Sequence, residues 1–556
     1  MLESTMMDYP LTIPLMLERA KQLFPHVEVV SLLPGTPHPD TKMPTPLEHR
    51  TNYGEVHTRV MKLCNALVDA GVQSGDRVAT MALNSFRHLE LYFAIPSVGA
   101  VCHMINIRLP PEQIGFIINH AEDKVLFIDN VFAAQLPLLL QHCPSIKKVI
   151  IMGQVPGGVP VGMHDYEDFI RDQPVTFSYP EINERQASGM CYTSGTTGNP
   201  KGVLYSHRGI VLHSLASMGA DLLGVSSADT VLPVVPMFHV NAWGYPYTCT
   251  WVGAKQVYTG MFTDPRIIAP TLEKEGVTMT AGVPTIWIVL LDELDRAKAA
   301  GTPYKLEKLK ALIVGGSSTP RKMLVDFEVR HGLKIIPAWG MTETTPLGTA
   351  NVVLPHHLEL TDEARWDQMT LSGRQAPLVD LEIVDGDGNP LPHNGEARGR
   401  LLIKGPWVTK SYYKNPDATA ATQYNDWFDT GDIATINQES FMMIQDRAKD
   451  LIKSGGEWIS SVDLENELMG HPAVKEAAVI GLPHPKWDER PLGVIVLRDG
   501  ASVSHEELNA HLAKKFAKWM LPDDYVFTDK IPLTTTGKFL KRALREQFKD
   551  YKLPGA

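Results

Sequence analysis

The stretch from residue 192 to residue 202 constrains this chain more than any other. It reads Tyr-Thr-Ser-Gly-Thr-Thr-Gly-Asn-Pro-Lys-Gly and follows the apolar residues Met190 and Cys191. Glycine permits positive φ and close approach of the backbone to a ligand, while amides and hydroxyl groups bind anions. We therefore predict a loop that holds a polyphosphate, placed between a strand and a helix whose apolar face includes Val211.

Two other interpretations of this loop are weaker. The phosphate loop of P-loop kinases and ATPases requires Gly-x-x-x-x-Gly-Lys-Ser/Thr, whereas Pro200 precedes Lys201 here and Gly202 follows it. A polar surface turn is the simpler alternative. The density of hydroxyl groups beside one lysine, between two apolar segments, favours the phosphate loop.

Length and charge limit the class of protein. A chain of 556 residues is too long for one hydrophobic core, so at least two domains are expected. A hydrophobic content of 44% excludes a disordered or fibrous chain, and the net charge of −11 argues against a nucleic-acid partner. Positive contacts to polyanionic ligands must then be local.

The sequence also indicates in which cellular compartment the protein is expected. It contains no run of 18 apolar residues and no basic segment at the N terminus, so we expect neither a transmembrane segment nor a signal peptide. The five cysteines show no Cys-x-x-Cys or zinc spacing, which favours a reducing, cytoplasmic environment.

Short apolar runs at residues 124–128 and 148–152 alternate with helical patterns, as in a parallel α/β sheet. Two more loops follow such runs: Gly315, Gly316 and Ser317 come after residues 311–314, and Trp339 comes soon after residues 334–336. Ligand crevices of parallel sheets lie beyond the carboxyl ends of the strands. These loops and the glycine loop are therefore expected to share one site.

The pattern changes beyond about residue 380, where strands and hairpin turns predominate. The last hundred residues mix strands with a helix predicted over residues 506–520, which a capping box of Ser504 and Glu507 begins. The predicted fold is α/β. A large N-terminal domain, residues 1–446, has parallel-type sheets with helices and a small β-rich subdomain; a small, mobile α+β domain, residues 447–556, follows it.

Six short motifs carry a resemblance that covers nearly the whole chain. Together they resemble the acyl-adenylate-forming superfamily of acyl-CoA synthetases, adenylation domains and luciferases. Residues 238–243 and 453–459 are most similar to bacterial medium- and long-chain fatty acyl-CoA synthetases. The motifs, in the order of that superfamily, are residues 193–202, 236–239, 339–343, 429–432, 446–449 and 537–538.

The resemblance implies an acid–thiol ligase of the AMP-forming kind. A carboxylate attacks the α-phosphate of ATP to give acyl-AMP and pyrophosphate, and the thiol of CoA then takes the acyl group and releases AMP. The implied substrate is a medium- to long-chain fatty acid, and the implied cofactors are ATP, Mg²⁺ and coenzyme A. The implied catalytic residues are Lys538, Glu343, Thr342 and His239, with Mg²⁺ held by Glu343 and Thr193.

The same resemblance implies further roles. Lys449 matches the hinge about which the C-terminal domain rotates, and Trp243 matches a gate that closes the acyl tunnel. Trp339 stands where tyrosine is commoner, and either ring stacks on adenine. The residues implied to bind ATP or CoA are Thr193, Ser194, Gly195, Thr196, Thr197, Gly198, Lys201, Gly315, Gly316, Ser317, Ala338, Trp339, Gly340, Asp432, Arg447, Lys453, Gly456 and Trp458.

Three other functions remain open on these motifs. They are a ligase for a short substituted acid such as 3-methylthiopropionate, a luciferase-like oxidation of the adenylate, and a catalytically silent nucleotide-binding regulator. The presence of Glu343, Asp432 and Lys538 together argues against the regulator. The fatty-acid relatives imply a homodimer. Peripheral contact with a membrane stays open, although no strongly basic amphipathic helix favours it.

Overall fold

The computed structural model describes residues 2, 4–40, 43–155, 157–193, 199–455, 457–534 and 538–554. Its α-helices are α1 Pro14–Leu23, α2 Tyr53–Asp69, α3 Phe86–Ser97, α4 Pro111–Ala121, α5 Leu136–Gln141, α6 Tyr166–Arg171, α7 His207–Met218, α8 Tyr245–Val252, α9 Pro265–Glu275, α10 Pro284–Ala299, α11 Arg321–His331, α12 Asp362–Met369, α13 Pro416–Ala420, α14 Ser461–Met469, α15 His505–Leu512 and α16 Lys541–Gln547. Short 3-10 helices lie at Asn130–Gln135, Thr342–Thr344, Pro355–Glu359 and Lys518–Met520.

The strands are β1 Glu28–Pro37, β2 Pro44–Asn52, β3 Arg77–Met81, β4 Val101–Met104, β5 Val125–Asp129, β6 Lys148–Met152, β7 His164–Asp165, β8 Ala187–Tyr192, β9 Gly202–Ser206, β10 Thr230–Pro233, β11 Lys255–Tyr258, β12 Met279–Gly282, β13 Ala311–Val314, β14 Ile335–Gly340, β15 Leu347–Ala350, β16 Arg374–Gln375, β17 Asp380–Val384, β18 Gly399–Lys404, β19 Gln423–Tyr424, β20 Trp427–Ile436, β21 Met442–Arg447, β22 Ile452–Ser454, β23 Glu457–Ile459, β24 Val474–His484, β25 Asp488–Leu497 and β26 Asp524–Phe527.

Two large sheets form most of the N-terminal part. One has the order β7-β6-β5-β3-β4-β8-β9 and the other β16-β15-β14-β13-β12-β10-β11-β1-β2. Their central strands are parallel, and antiparallel pairs occur only toward the edges. Central strands such as β5 and β13 are buried along their whole length, as the continuous apolar runs predict.

Two smaller sheets follow. An antiparallel sheet of order β17-β18-β20-β19, with β21 paired to β20, is the predicted β-rich subdomain. The last sheet, β23-β22-β25-β24 with β26 on β25, packs against α14 and α15 around Leu464, Val479 and Leu508. The predicted α/β class with a small α+β C-terminal unit is confirmed.

Hydrogen bonds join the two large sheets near the segment that leads to His239. The amide of Asn84, after β3, donates to the carbonyl oxygen of Val235 at 2.8 Å and accepts from the backbone N–H of Met237 at 2.6 Å. The buried hydroxyl of Tyr92 on α3 donates to the carbonyl of Met237. These bonds fix the segment that leads to His239.

One local prediction is wrong around the glycine loop. The loop does not lead from a strand to a helix, because residues 202–206 form β9, which pairs antiparallel with β8. Helix α7 begins only at His207, where the Ser206 hydroxyl accepts from the N–H of Gly209. β9 therefore follows the loop, and no helix N-terminus lies directly after it.

The helix predicted over residues 506–520 is also too long. Helix α15 ends at Leu512, and a separate 3-10 turn contains Lys518 and Trp519. The Arg490 guanidinium binds the carbonyl oxygens of Trp519 and Leu521, the latter at 2.9 Å. These side-chain contacts from β25 hold the segment in a path that departs from an α-helix, and its local sequence does not indicate them.

Candidate active site

Lys538 brings a cation from the C-terminal domain to the large N-terminal domain. Its backbone N–H donates to the Thr534 hydroxyl at 3.0 Å, and its Cε lies 3.7 Å from where a side chain at Gly316 would begin. Gly316 has φ of +87°, which favours glycine there. Burial and nearby Arg447 lower the pKa of Lys538 to about 8, although Asp432 and Glu343 act in the opposite direction.

Asp432 lies at the centre of the polar group around Lys538. Its buried carboxylate is 2.8 Å from Nε of Arg447 and accepts from the indole N–H of Trp339 at 3.2 Å. Burial raises the pKa of Asp432, and the Arg447 and Lys538 charges oppose that rise. Arg447 also donates to the carbonyl oxygen of Thr430 at 3.2 Å. The pairing of β20 with β21 places Asp432 and Arg447 directly opposite each other.

Glu343 supplies a second buried carboxylate. The hydroxyl of Tyr412 donates to its Oε1 at 2.6 Å, and its carbonyl oxygen accepts from the N–H of Thr409 at 2.7 Å. The neighbouring Thr342 accepts at its carbonyl oxygen from the Tyr205 hydroxyl at 3.0 Å. Hydroxyl groups from two other segments therefore hold the 3-10 turn that carries both residues.

The base of the glycine loop is closed by Thr193 and Lys201. The Thr193 N–H donates to the Lys201 carbonyl at 2.9 Å, and the Lys201 N–H donates to the Thr193 hydroxyl at 3.2 Å. The Lys201 ammonium lies 4.4 Å from the ring centre of Tyr412, the residue that binds Glu343. The loop base and Glu343 thus share one neighbour. Predicted residues Ser194, Gly195, Thr196, Thr197 and Gly198 lie outside the described residues, as does Gly456.

Glycines permit close packing at the ends of β13 and β14. A side chain at Gly315 would begin 3.0 Å from both the Ala338 carbonyl oxygen and the indole of Trp243. At Gly340 it would begin 1.9 Å from the carbonyl oxygen of Pro346, which only glycine tolerates. Ser317, on the same turn as Gly315, is exposed. Gly315 therefore packs directly on β14, and Ala338, Trp339 and Gly340, predicted to lie in a loop, are the last residues of that strand.

His239 and Trp243 bound a left-handed turn. Val240, Asn241, Ala242 and Trp243 have φ of 46°, 57°, 45° and 56°, and Gly244 follows at 81°. Such angles cost a residue with a side chain about 1–2 kcal/mol each. Burial, with the nearby Lys538 and Arg108 charges, lowers the pKa of His239 to about 3. His239 is therefore neutral at physiological pH and close enough to Lys538 to respond to its charge.

The sequence profile of the AMP-binding enzyme family matches residues 36–413 of this chain, and the profile of the AMP-binding enzyme C-terminal domain matches residues 463–538. The chain belongs to the AMP-binding enzyme family. Both profiles are consistent with two domains, while the predicted boundary at residue 446 stays a prediction.

Among relatives of this AMP-binding enzyme, a long-chain-fatty-acid–CoA ligase of Thermus thermophilus is 49% identical over 99% of this chain and 97% of its own length. A 3-methylmercaptopropionyl-CoA ligase of Ruegeria lacuscaerulensis is 44% identical over 98% of each chain. A crystal structure of an anthranilate CoA ligase with anthranoyl-AMP has a TM-score of 0.85 at 24% identity, covering 98% of each chain. That structure shows the fold.

Three predicted residues of this AMP-binding enzyme lie outside the group around Lys538. Lys453 and Trp458 face each other across the β22–β23 hairpin, and the Lys453 ammonium is 3.9 Å from Asp488 in the same domain. Trp458 is 48% exposed. Lys449 lies in the turn between β21 and β22. In this arrangement the contacts described for Lys453 lie within its own domain.

Sequence reasoning missed two residues of the site. Tyr412 binds Glu343 and stacks with Lys201, and Tyr205 holds Thr342. Neither tyrosine stands in a pattern that indicates a ligand. The only local signal is that Tyr412 precedes a helix capped by Asn415.

One group of metal-ligand side chains occurs among the described residues away from this site. His356 and His357 contact the two oxygens of Glu439 at 2.6 and 3.1 Å. The Leu354 N–H donates to Nδ1 of His357, which places the ring proton on Nε2, facing Glu439. Hydrogen bonds therefore explain why these three side chains lie together.

None of the described helices combines the length and the apolar character that a transmembrane span requires.

Proposed function

We propose that this chain is an ATP-dependent acyl-CoA ligase that activates a medium- to long-chain fatty acid as acyl-AMP and then transfers the acyl group to CoA. The observation that carries the proposal is the meeting of Lys538 with Asp432, Arg447 and Glu343 across two domains. The 49% identity to a long-chain-fatty-acid–CoA ligase along nearly the whole chain supports the same conclusion.

The first step brings a carboxylate to the α-phosphate of ATP, so two anions must approach each other. Lys538 is proposed to meet oxygens of both and to stabilise the charge that develops as pyrophosphate leaves. Asp432 is proposed to accept the hydroxyl groups of ribose, an arrangement that its two oxygens permit. Thr193 and Lys201 would hold the leaving phosphates, with Thr342 beside the α-phosphate.

The residues present fit Mg²⁺. Glu343 offers a carboxylate and Thr193 a hydroxyl oxygen, which are ligand types that this ion accepts. Tyr412 orients the Glu343 carboxylate at 2.6 Å, and the Lys201 ammonium over the same tyrosine links it to the loop base. Bound there, Mg²⁺ would supply neutralisation of the phosphate charge.

The proposed acyl side lies beyond Trp243. The indole packs on Gly315 and joins an apolar cluster that includes Val235, Ala281 and Ile313. The apolar residues around Trp243 favour a hydrocarbon chain as the neighbouring substrate group. Trp243 is proposed to gate it, and His239 to stand at the entrance.

A panel of acids tests the proposed function. We expect pyrophosphate release with ATP and Mg²⁺ to be fastest with fatty acids of medium to long chain, and CoA to convert the product to a thioester. Preference for 3-methylthiopropionate would instead support the class of the Ruegeria relative. Oxidation of the adenylate would identify luciferase-like chemistry, and no release with any acid would contradict the proposal.

The pH dependence of adenylation is a second test. Because the pKa of Lys538 is lowered to about 8, its positive charge is lost as pH rises through that value. We expect kcat/KM for ATP in the adenylation half-reaction to fall about tenfold per pH unit above pH 8, since kcat/KM reports the free enzyme. In Lys538→Arg, whose guanidinium stays charged, residual activity should show no such fall. If kcat/KM of Lys538→Arg falls with the same midpoint pH, the titrating group is not Lys538.

Other parts of the proposal concern CoA and assembly. Lys453, Gly456 and Trp458 are proposed to contact CoA after the C-terminal domain rotates about Lys449. A homodimer is also proposed, on the basis of the fatty-acid ligases that the chain resembles. All five cysteines are free and buried, which supports a reducing, cytoplasmic location.

A further inference from the structure

A buried charged group lies beside the Lys538 segment and has no role in the steps above. Lys541, the first residue of α16, has its ammonium 2.8 Å from Glu465 on α14 and donates to the Ser461 hydroxyl at 2.5 Å. Only 11% of the Lys541 side chain and 7% of that of Glu465 are exposed. Burial alone would lower the pKa of Lys541, but Glu465 and Asp446 hold it above its ordinary value.

This group continues across the proposed hinge. The Ser461 hydroxyl, which accepts from Lys541, donates to Oδ2 of Asp446, and the Ser461 N–H donates to the same oxygen at 2.9 Å. Asp446 lies on β21, before Lys449, whereas Ser461, Glu465 and Lys541 come after it. A rotation about residue 449 must break the contact of Ser461 with Asp446 but leaves Lys541 with Glu465.

The two ends of this chain of contacts are next to the reacting groups. Lys541 is three residues after Lys538, on the same short segment. Asp446 directly precedes Arg447, which pairs with Asp432, and its Oδ1 accepts from the Arg447 N–H at 2.8 Å. One network therefore connects the segment that carries Lys538 to the strand that carries Arg447, the partner of Asp432.

A second contact across the same interface is weaker. The amide of Asn466, also on α14, donates to the Ser318 hydroxyl at 2.9 Å. This bond joins two neutral side chains, whereas the Ser461 hydroxyl lies between an ammonium and a carboxylate. Hydrogen bonds to charged groups are about twice as strong as neutral ones. The Asp446–Ser461–Lys541 contact is thus the stronger of the two.

We propose that Lys541, acting through Ser461 and Asp446, is a positioning residue that holds Lys538 at the nucleotide site, and that this contact opens before thioester formation. The proposal rests on the proposed two-step ligation. Lys541 touches no substrate in it. Lys541 fixes the start of α16 relative to β21, and therefore fixes the position and direction of Lys538.

Two variants test this role by separating the half-reactions. Ser461→Ala removes the hydroxyl's hydrogen bonds to Lys541 and Asp446 but keeps the Lys541–Glu465 pair and the backbone N–H bond to Asp446, so we expect adenylation to slow about tenfold. Lys541→Met should slow it further, toward about 100-fold, because misplaced catalytic groups cost that much. In both, thioester formation from supplied acyl-AMP and CoA should stay within about twofold of wild type or rise.

Controls separate positioning from folding. Lys541→Arg keeps the charge and should recover most adenylation activity, and Lys549→Met removes an exposed lysine nearby and should change neither half-reaction. A parallel loss in both half-reactions of Ser461→Ala, or no loss in either, would overturn the proposal.

A third measurement does not depend on the substrate. Amide hydrogen exchange of residues 446–461 without ligands should quicken in Ser461→Ala relative to wild type, because the Ser461 hydroxyl no longer contributes to the contact between α14 and β21. Unchanged exchange would contradict the positioning role of the Asp446–Ser461–Lys541 contact even if the wild-type protein proves to ligate no acid. Faster exchange in a protein that ligates no acid would support that role and reject the proposed function.

Discussion

Replacing Lys538 by alanine is expected to lower the rate of adenylation by about 10²–10³-fold, the loss typical when one group that stabilises transition-state charge is removed. The change deletes the cation that reaches Gly316 and lies within the influence of Asp432 and Glu343. Thioester formation from supplied acyl-AMP should be retained, because the acyl group is already activated. Single-turnover assays of pyrophosphate release and of thioester formation measure the two steps separately.

A matched control for this variant is Lys530→Ala, which removes an exposed lysine from the same domain, eight residues upstream. It should leave both half-reactions unchanged. Equal loss of the two steps in Lys538→Ala would show that the residue maintains the structure or binds CoA. Full adenylation activity in that variant would remove Lys538 from the mechanism.

Replacing Lys449 by proline is expected to have the opposite effect. Proline fixes φ near −65°, removes the backbone N–H and restricts Ala448 before it, so the turn between β21 and β22 loses the freedom that a rotation requires. Adenylation should proceed near the wild-type rate, while thioester formation falls about 100-fold because the Lys453 hairpin cannot reach the acyl group.

Lys449→Ala is the comparison that isolates the backbone. It removes the same ammonium but keeps the dihedral freedom, and both half-reactions should remain within a few-fold of wild type. If alanine impairs thioester formation as much as proline does, the side chain matters and not the hinge. If proline impairs both steps equally, the turn at residue 449 is not the point of rotation.

The sequence predicts the large features of this molecule well. Buried parallel strands such as β5 and β13 appear as continuous apolar runs, and the glycine turn predicted after β13 is the one that Lys538 approaches. Lys538, Asp432, Arg447 and Glu343 are distant in sequence, and only the resemblance to known enzymes suggested that they come together.

The features that were missed depend on partners distant in sequence. The sequence predicts the glycine loop between a strand and a helix, but β9 pairs with β8, because a five-residue strand is not distinct from the start of a helix in sequence. Tyr412 approaches Glu343 from 69 residues away. The contact of Asp446 with Ser461 joins a strand to a helix start, so neither residue type nor spacing indicates it.

The left-handed turn at Val240–Trp243 has a cost in folding stability. Four residues with side chains occupy angles that glycine would adopt without strain, so glycine at Ala242 is expected to relieve about 1 kcal/mol of this strain, a gain that the greater freedom of glycine in the unfolded chain reduces. The same replacement would loosen the indole that packs on Gly315. The turn therefore costs some stability while it holds against Gly315 the indole that is proposed to gate the acyl side.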